Sequence, residues 1–178
     1  FSLLASRNTE HSLFKEHHSD ASIELTDRKK LRLDTCSFFR ASTVQDRSFI
    51  AFVHQDRDEK TIELVGTDDL RRWKSHRTLD HFSRPPVFVD LPLLKRRRRI
   101  GAFLSIGRKH IGGFIGNKDF DDWEDQETVL EGRSSSFDAT HLEPIAVTSI
   151  PSGILLLYSA KNNENQLSIG AAIFDPND

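Results

Sequence analysis

The sequence predicts an all-β fold, a β-propeller of which this chain carries about three blades, and three observations predict it. Thr61 to Leu79, TIELVGTDDLRRWKSHRTL, returns fifty positions later as HIGGFIGNKDFDDWEDQETV, His110 to Val129, with both tryptophans of the chain, Trp73 and Trp123, at matching places. Before each tryptophan the order is an apolar residue and a glycine (Val65-Gly66, Ile115-Gly116), an aspartate (Asp69, Asp119), and an apolar residue (Leu70, Phe120) three positions ahead of the ring. A third, shorter copy stands at Leu167 to Asp175, LSIGAAIFD, where Ile169-Gly170 takes the place of Val65-Gly66. A period near fifty residues built from short strands describes a unit that buries its faces only against neighbours of its own kind, as propeller blades do.

Phe1 to Ala21 mixes charged residues with His11, His17 and His18 and sustains no apolar stripe, so an irregular lead-in is expected. Ser22–Leu25 and Leu31–Leu33 alternate around TDRKK and read as a hairpin, which closes a first segment, residues 1–35. The first full blade is placed at residues 36–82, with strands over Ser37–Val44, Ser48–His54, Thr61–Val65 and Trp73–Thr78 joined by the polar turns QDR and QDRDEK. The second is placed at residues 84–132: Pro86–Leu93, a turn at KRRRR, Ile100–Ile106, a turn at GRK, His110–Ile115, then the tryptophan segment. Val87, Phe88, Val89 and Leu91 make a near-continuous apolar run, the pattern of a strand covered on both faces. The third, residues 133–178, gives Leu142–Thr148, Gly153–Ser159 and Gln166–Phe174, turning at Pro151-Ser152-Gly153 and at KNNEN, with no fourth strand. Propellers close with roughly four to eight blades. The expectation is therefore one propeller domain completed by chain not present here, with self-association as the other route to closure.

Composition narrows the partners. With 25 Lys and Arg against 27 Asp and Glu, the net charge of −2 offers no basic field for nucleic acid or an anionic membrane. Cys36 is alone, so no internal disulfide forms, and compartment stays open. No apolar run reaches the ~20 residues of a membrane helix, and the start lacks the basic and apolar regions of a signal peptide. Methionine is absent even at position one, which points to a fragment or a processed chain. No cofactor and no metal are expected; adjacent His17 and His18 point apart when extended and do not converge on an ion.

The stretch Phe137 to Asp178 resembles the five-bladed propeller of family 130 glycoside phosphorylases and hydrolases, which act mainly on β-mannosides. Leu142-Glu143-Pro144, Ile154 to Tyr158, and Ile169-Gly170-Ala171-Ala172-Ile173-Phe174-Asp175-Pro176 stand where that family has its inner strand, its LLLY strand and its LGAALLD strand ending in DP. The TDDLRRW and NKDFDDW segments are similar to the SDDLxxW turns shared by several five-bladed glycosidase groups. The resemblance spans about Phe38 to Asp178. It implies a carbohydrate-active propeller, hydrolysing or, less favoured, phosphorolysing a β-mannoside-like glycoside. The family's Asp-Pro-Arg is missing, LPLLK and FLSIG stand near its phosphate-handling stretches, and its Tyr-His-Gly reads Tyr158-Ser159-Ala160. Those departures motivate the alternative, a non-catalytic propeller binding sugar or protein.

Glycoside cleavage uses two carboxyl groups on either side of the bond. Inner strands supply Asp90, in the apolar VFVDLPLL, and Glu143, ahead of Pro144, as the candidate catalytic pair. Asp138 and His141, on the same rim as Glu143, are the candidates for binding sugar hydroxyls. The competing readings are a loop-capping Asp90, a surface Glu143, and plain loop polars. Trp73 and Trp123 recur in each repeat and so read as packing between blades before they read as sugar platforms. The basic run Lys95 to Arg99 reads as a solvated hairpin turn.

Overall fold

The structure, a computed structural model, describes residues 2–7, 10–16, 23–25, 36–56, 59–69, 73–94, 97–124 and 127–175. These form antiparallel sheets only. β1 (Ser2–Arg7), β2 (Glu10–Glu16) and β3 (Ile23–Leu25) make one three-stranded sheet. β4 (Cys36–Val44), β5 (Arg47–Asp56), β6 (Glu59–Thr67) and β7 (Lys74–Thr78) make a four-stranded sheet in that order. β8 (Val87–Leu94), β9 (Arg97–Ile106), β10 (His110–Asn117) and β11 (Glu127–Glu131) make another, again in chain order. β12 (His141–Ile150), β13 (Gly153–Lys161) and β14 (Leu167–Phe174) form a three-stranded sheet.

The lead-in departs from expectation, because β1 and β2 pair over six positions. The register sets Leu3 opposite Phe14 and Leu4 opposite Leu13, an order visible only once two strands are aligned and not in the periodicity of either one. Of the hairpin expected next, Ile23–Leu25 pairs with β2, and Leu31–Leu33 lies outside the described residues, as do His17 and His18. The turn expected over Lys95 to Arg99 is shorter than the basic run, since β9 already begins at Arg97. In the second repeat the outer strand begins at Glu127 and not at the tryptophan; Trp123 makes only an isolated bridge to Gly116.

Two compact units divide the chain: Phe1–Ala41 with Asp46–Pro85, and Ser42–Gln45 with Pro86–Asp178. In the first, Phe49, Ile50, Ala51 and Phe52 of β5 and Leu64 and Val65 of β6 are all buried, a consecutive run that only strands covered on both faces require. In the second, the sheet of β8–β11 packs on that of β12–β14 through Val87, Val89, Phe103 and Ile111 on one side and Leu142, Leu156 and Tyr158 on the other. The turn Gln45-Asp46 after β4 takes positive φ at both residues (53° and 59°), the pairing of a two-residue hairpin loop.

Candidate functional site

Strand β12 positions two of the four candidate residues, His141 and Glu143, and its register decides which way they point. His141 pairs with Lys161 and Glu143 with Ser159 across β12 and β13. Cross-strand partners and residues two apart share a face, so His141, Glu143, Ser159 and Lys161 stand together on one side of the sheet. The residues between them, Leu142, Pro144, Tyr158 and Ala160, are buried on the other. His141 Nε2 lies 3.3 Å from Glu143 Oε2, and the two side chains keep 28% and 19% of their surface. A half-buried carboxylate held by an imidazole can receive sugar hydroxyls or exchange a proton.

Loops gather at this end of β12. The Leu142 N–H donates to the carbonyl of Arg108 (2.8 Å), which lies in the β9–β10 turn, and the Gly132 N–H donates to that of Lys109 (2.8 Å). Ser105 Oγ donates to the Leu142 carbonyl (2.9 Å). These bonds fix where β12 starts. They therefore fix where Glu143 is presented.

Asp138 takes a different role from the one expected. Its carboxylate is 1% exposed and accepts from Arg133 Nε (3.1 Å) and from the Arg133 backbone N–H (3.3 Å), with Arg133 Nη2 at 3.0 Å. Burial pushes this carboxyl upward, yet the hydrogen bonds and charge of Arg133 outweigh burial and hold it below the usual aspartate value. The Arg133 guanidinium lies over the Phe137 ring, and Phe137 stacks on Tyr158. Asp138 thus clamps the 133–138 loop; its oxygens are turned inward.

Asp90 and Glu143 are not brought together. Asp90 Oδ2 accepts the Gln45 N–H (2.7 Å), so this carboxylate caps the β4–β5 turn. Its carbonyl accepts Ser149 Oγ (2.7 Å), six residues beyond Glu143 on β12. At ~3.3 Å per residue, and with one position absorbed by the bulge at Pro144/Ala146, the two backbones stand roughly 17–20 Å apart. The pattern VFVDLPLL could not show this, because alternation gives a side chain's face and says nothing of its height along a neighbouring strand. Ser159 and Lys161, not among the site candidates the sequence offers, become neighbours of Glu143 only through the β12–β13 register. Trp123 packs on Phe88 and covers Gly116, and Trp73 is buried, as packing residues are. Among the described residues no three His, Cys, Asp or Glu side chains gather to hold a metal ion.

No family model matches the sequence, and no curated protein does. Among solved structures the chain is similar to a β-1,2-mannobiose phosphorylase from Listeria innocua in complex with β-1,2-mannobiose, at 18% identity and TM-score 0.67, over 95% of this chain and 50% of that one. It is similar to a glycosyl hydrolase from Bacteroides ovatus, at 14% identity and TM-score 0.64, over 99% of this chain and 66% of that one. A third similar structure comes from the GH130 family of mannoside phosphorylases, which contains glycoside hydrolases that target β-1,2 mannosidic linkages in Candida mannan; identity is 14%, TM-score 0.64, over 99% and 67%. The chain spans between half and about two thirds of these structures' length. The likeness gives the fold, that of a partial β-propeller of the glycosidase type.

Proposed function

We propose that this chain is part of a carbohydrate-active propeller and binds a β-mannoside-like glycoside at the end of β12 where His141 and Glu143 meet. One observation carries the reading: a half-buried carboxylate bonded to an imidazole, presented at the start of an inner strand beside the turn that follows β9. The similar structures act on saccharides, and the chain shares their fold. In this reading Glu143 accepts sugar hydroxyls, His141 orients it, and Ser159 and Lys161 flank the ligand on the same face.

Hydrolysis is the second reading, supported by the likeness in fold to a glycosyl hydrolase and by the contact of Glu143 with His141. Cleavage asks for a second carboxyl at about 5–5.5 Å for retention or about 6.5–9.5 Å for inversion. Asp90 is engaged in its turn-capping bond to Gln45, and in this reading a catalytic site draws its second carboxyl from elsewhere.

Calorimetric titration with β-1,2-mannobiose tests the binding. Wild-type chain is expected to bind, and Glu143→Gln to bind roughly ten- to hundredfold more weakly, the loss of a hydrogen bond to a charged group. No binding by wild type, or equal binding by both, overturns the reading. Release of mannose from the same ligand by wild type, abolished in Glu143→Gln, would promote hydrolysis over simple binding.

A further inference from the structure

Given the saccharide site proposed above, we infer that its ligand is an acidic saccharide, one whose carboxylate is held by Arg108 and Lys161 from either side of β12. Arg108 stands in the β9–β10 turn, and its carbonyl accepts the Leu142 N–H (2.8 Å). The Leu142 carbonyl is taken up on that same edge by Ser105 Oγ. On the other edge of the strand Lys161 lies opposite His141 in the β12–β13 register. Neighbours bonded to the two edges of one strand stand roughly 10 Å apart. Each carries its cation on a long stem, so a single anionic group seated over His141 and Glu143 lies within reach of both.

The carboxylates nearby are engaged elsewhere. Asp138 is closed on Arg133 (3.0 Å), Glu131 faces His110 (3.4 Å) and Glu143 faces His141 (3.3 Å). Arg108 and Lys161 enter no ion pair among the described residues. Lys161 is half-buried and shares its face with Glu143, yet the two form no ion pair, which leaves its ammonium for a ligand. A neutral glycoside would satisfy Glu143, His141 and Ser159 through its hydroxyls and leave both cations without a partner. A carboxylate answers them, because a guanidinium takes its two oxygens in parallel N–H···O bonds. Phosphate offers the same oxygens, but the charge of Glu143 repels a dianion about twice as strongly as a monoanion, and this favours the carboxylate.

Calorimetric titration with β-1,2-mannobiose, and with the same disaccharide oxidised at its primary alcohols to carboxylates, tests it. Wild type is expected to bind the acidic form about three- to tenfold more tightly, the gain of partly exposed ion pairs. The preference should fade as salt rises from about 20 mM to about 500 mM. Arg108→Gln with Lys161→Gln is expected to lose it with an unchanged circular dichroism spectrum, whereas Lys74→Gln, in the other compact unit, keeps it. Arg108→Gln alone, in an exposed turn, serves if the double variant misfolds. Wild type that binds the neutral disaccharide at least as tightly as the acidic one overturns the inference and leaves the saccharide site standing, and so does a preference that survives in the folded double variant. Binding of neither form overturns the site and the inference together.

Discussion

At the scale of single residues, burial and hydrogen bonding separate side chains that look alike in sequence. Asp138 and Asp90 are both aspartates beside apolar strands, yet one is shut in with Arg133 and the other caps Gln45 at the surface. Because the folded value of Asp138 is depressed, its contribution is fully present above the ordinary aspartate value of about 3.9 and is lost as pH falls through the lower folded value. Asp138→Asn should lower stability in urea at neutral pH by about 1–3 kcal/mol, and the gap to wild type should close below about pH 4. Sugar affinity should barely move, which distinguishes a clamp from a ligand. Tyr158, the one tyrosine of the chain, offers a clean optical probe. Burial, with the Asp138 charge adding to it against the opposing Arg133, raises its hydroxyl above the usual value of about 10. An absorbance titration should therefore show a tyrosinate midpoint above that of the unfolded chain. The stability this contributes is present below about pH 10 and is lost as pH rises through the folded value.

At the scale of the element, the repeat is an arrangement of glycines under aromatic rings. A Cβ on Gly66 would come within 2.8 Å of the Phe49 ring and one on Gly116 within 2.5 Å of Trp123; one on Gly170 would meet the ring of Tyr158. Phe49 and Tyr158 are the cross-strand partners of their glycines, whereas in the middle copy Ile100 has that place and Trp123 folds back over Gly116 from the following turn. Here the aromatic cover of a strand glycine is kept while its source changes. Gly116→Ala should cost about 1–3 kcal/mol through overpacking against an indole held by Phe88 and Phe120. Equilibrium unfolding followed by tryptophan fluorescence measures it. The recurrence of Val65-Gly66, Ile115-Gly116 and Ile169-Gly170 was legible as spacing because each glycine answers to a local need. β1 and β2 were not legible, since their apolar residues match only across the pair.

At the scale of the whole molecule, the sequence supports an all-β, glycosidase-type propeller reading because every copy repeats the same strand order, and the solved structures share that fold at 18% identity or less. The candidate site was legible only in half. Glu143 and His141 are two apart on one strand, so their common face follows from the period of two. The partnership of Glu143 with Asp90 depended on how far each sits along its strand, which is set by the bond from Ser149 to Asp90 and leaves no local trace. The proposed saccharide site lies at the start of β12 and not at the turn capped by Asp90. Amide shift mapping by NMR during titration with β-1,2-mannobiose tests it most directly. Perturbations clustered on His141, Glu143, Ser159 and Lys161 are the predicted result, and perturbations clustered on Gln45, Asp90 and Ser149 would contradict it.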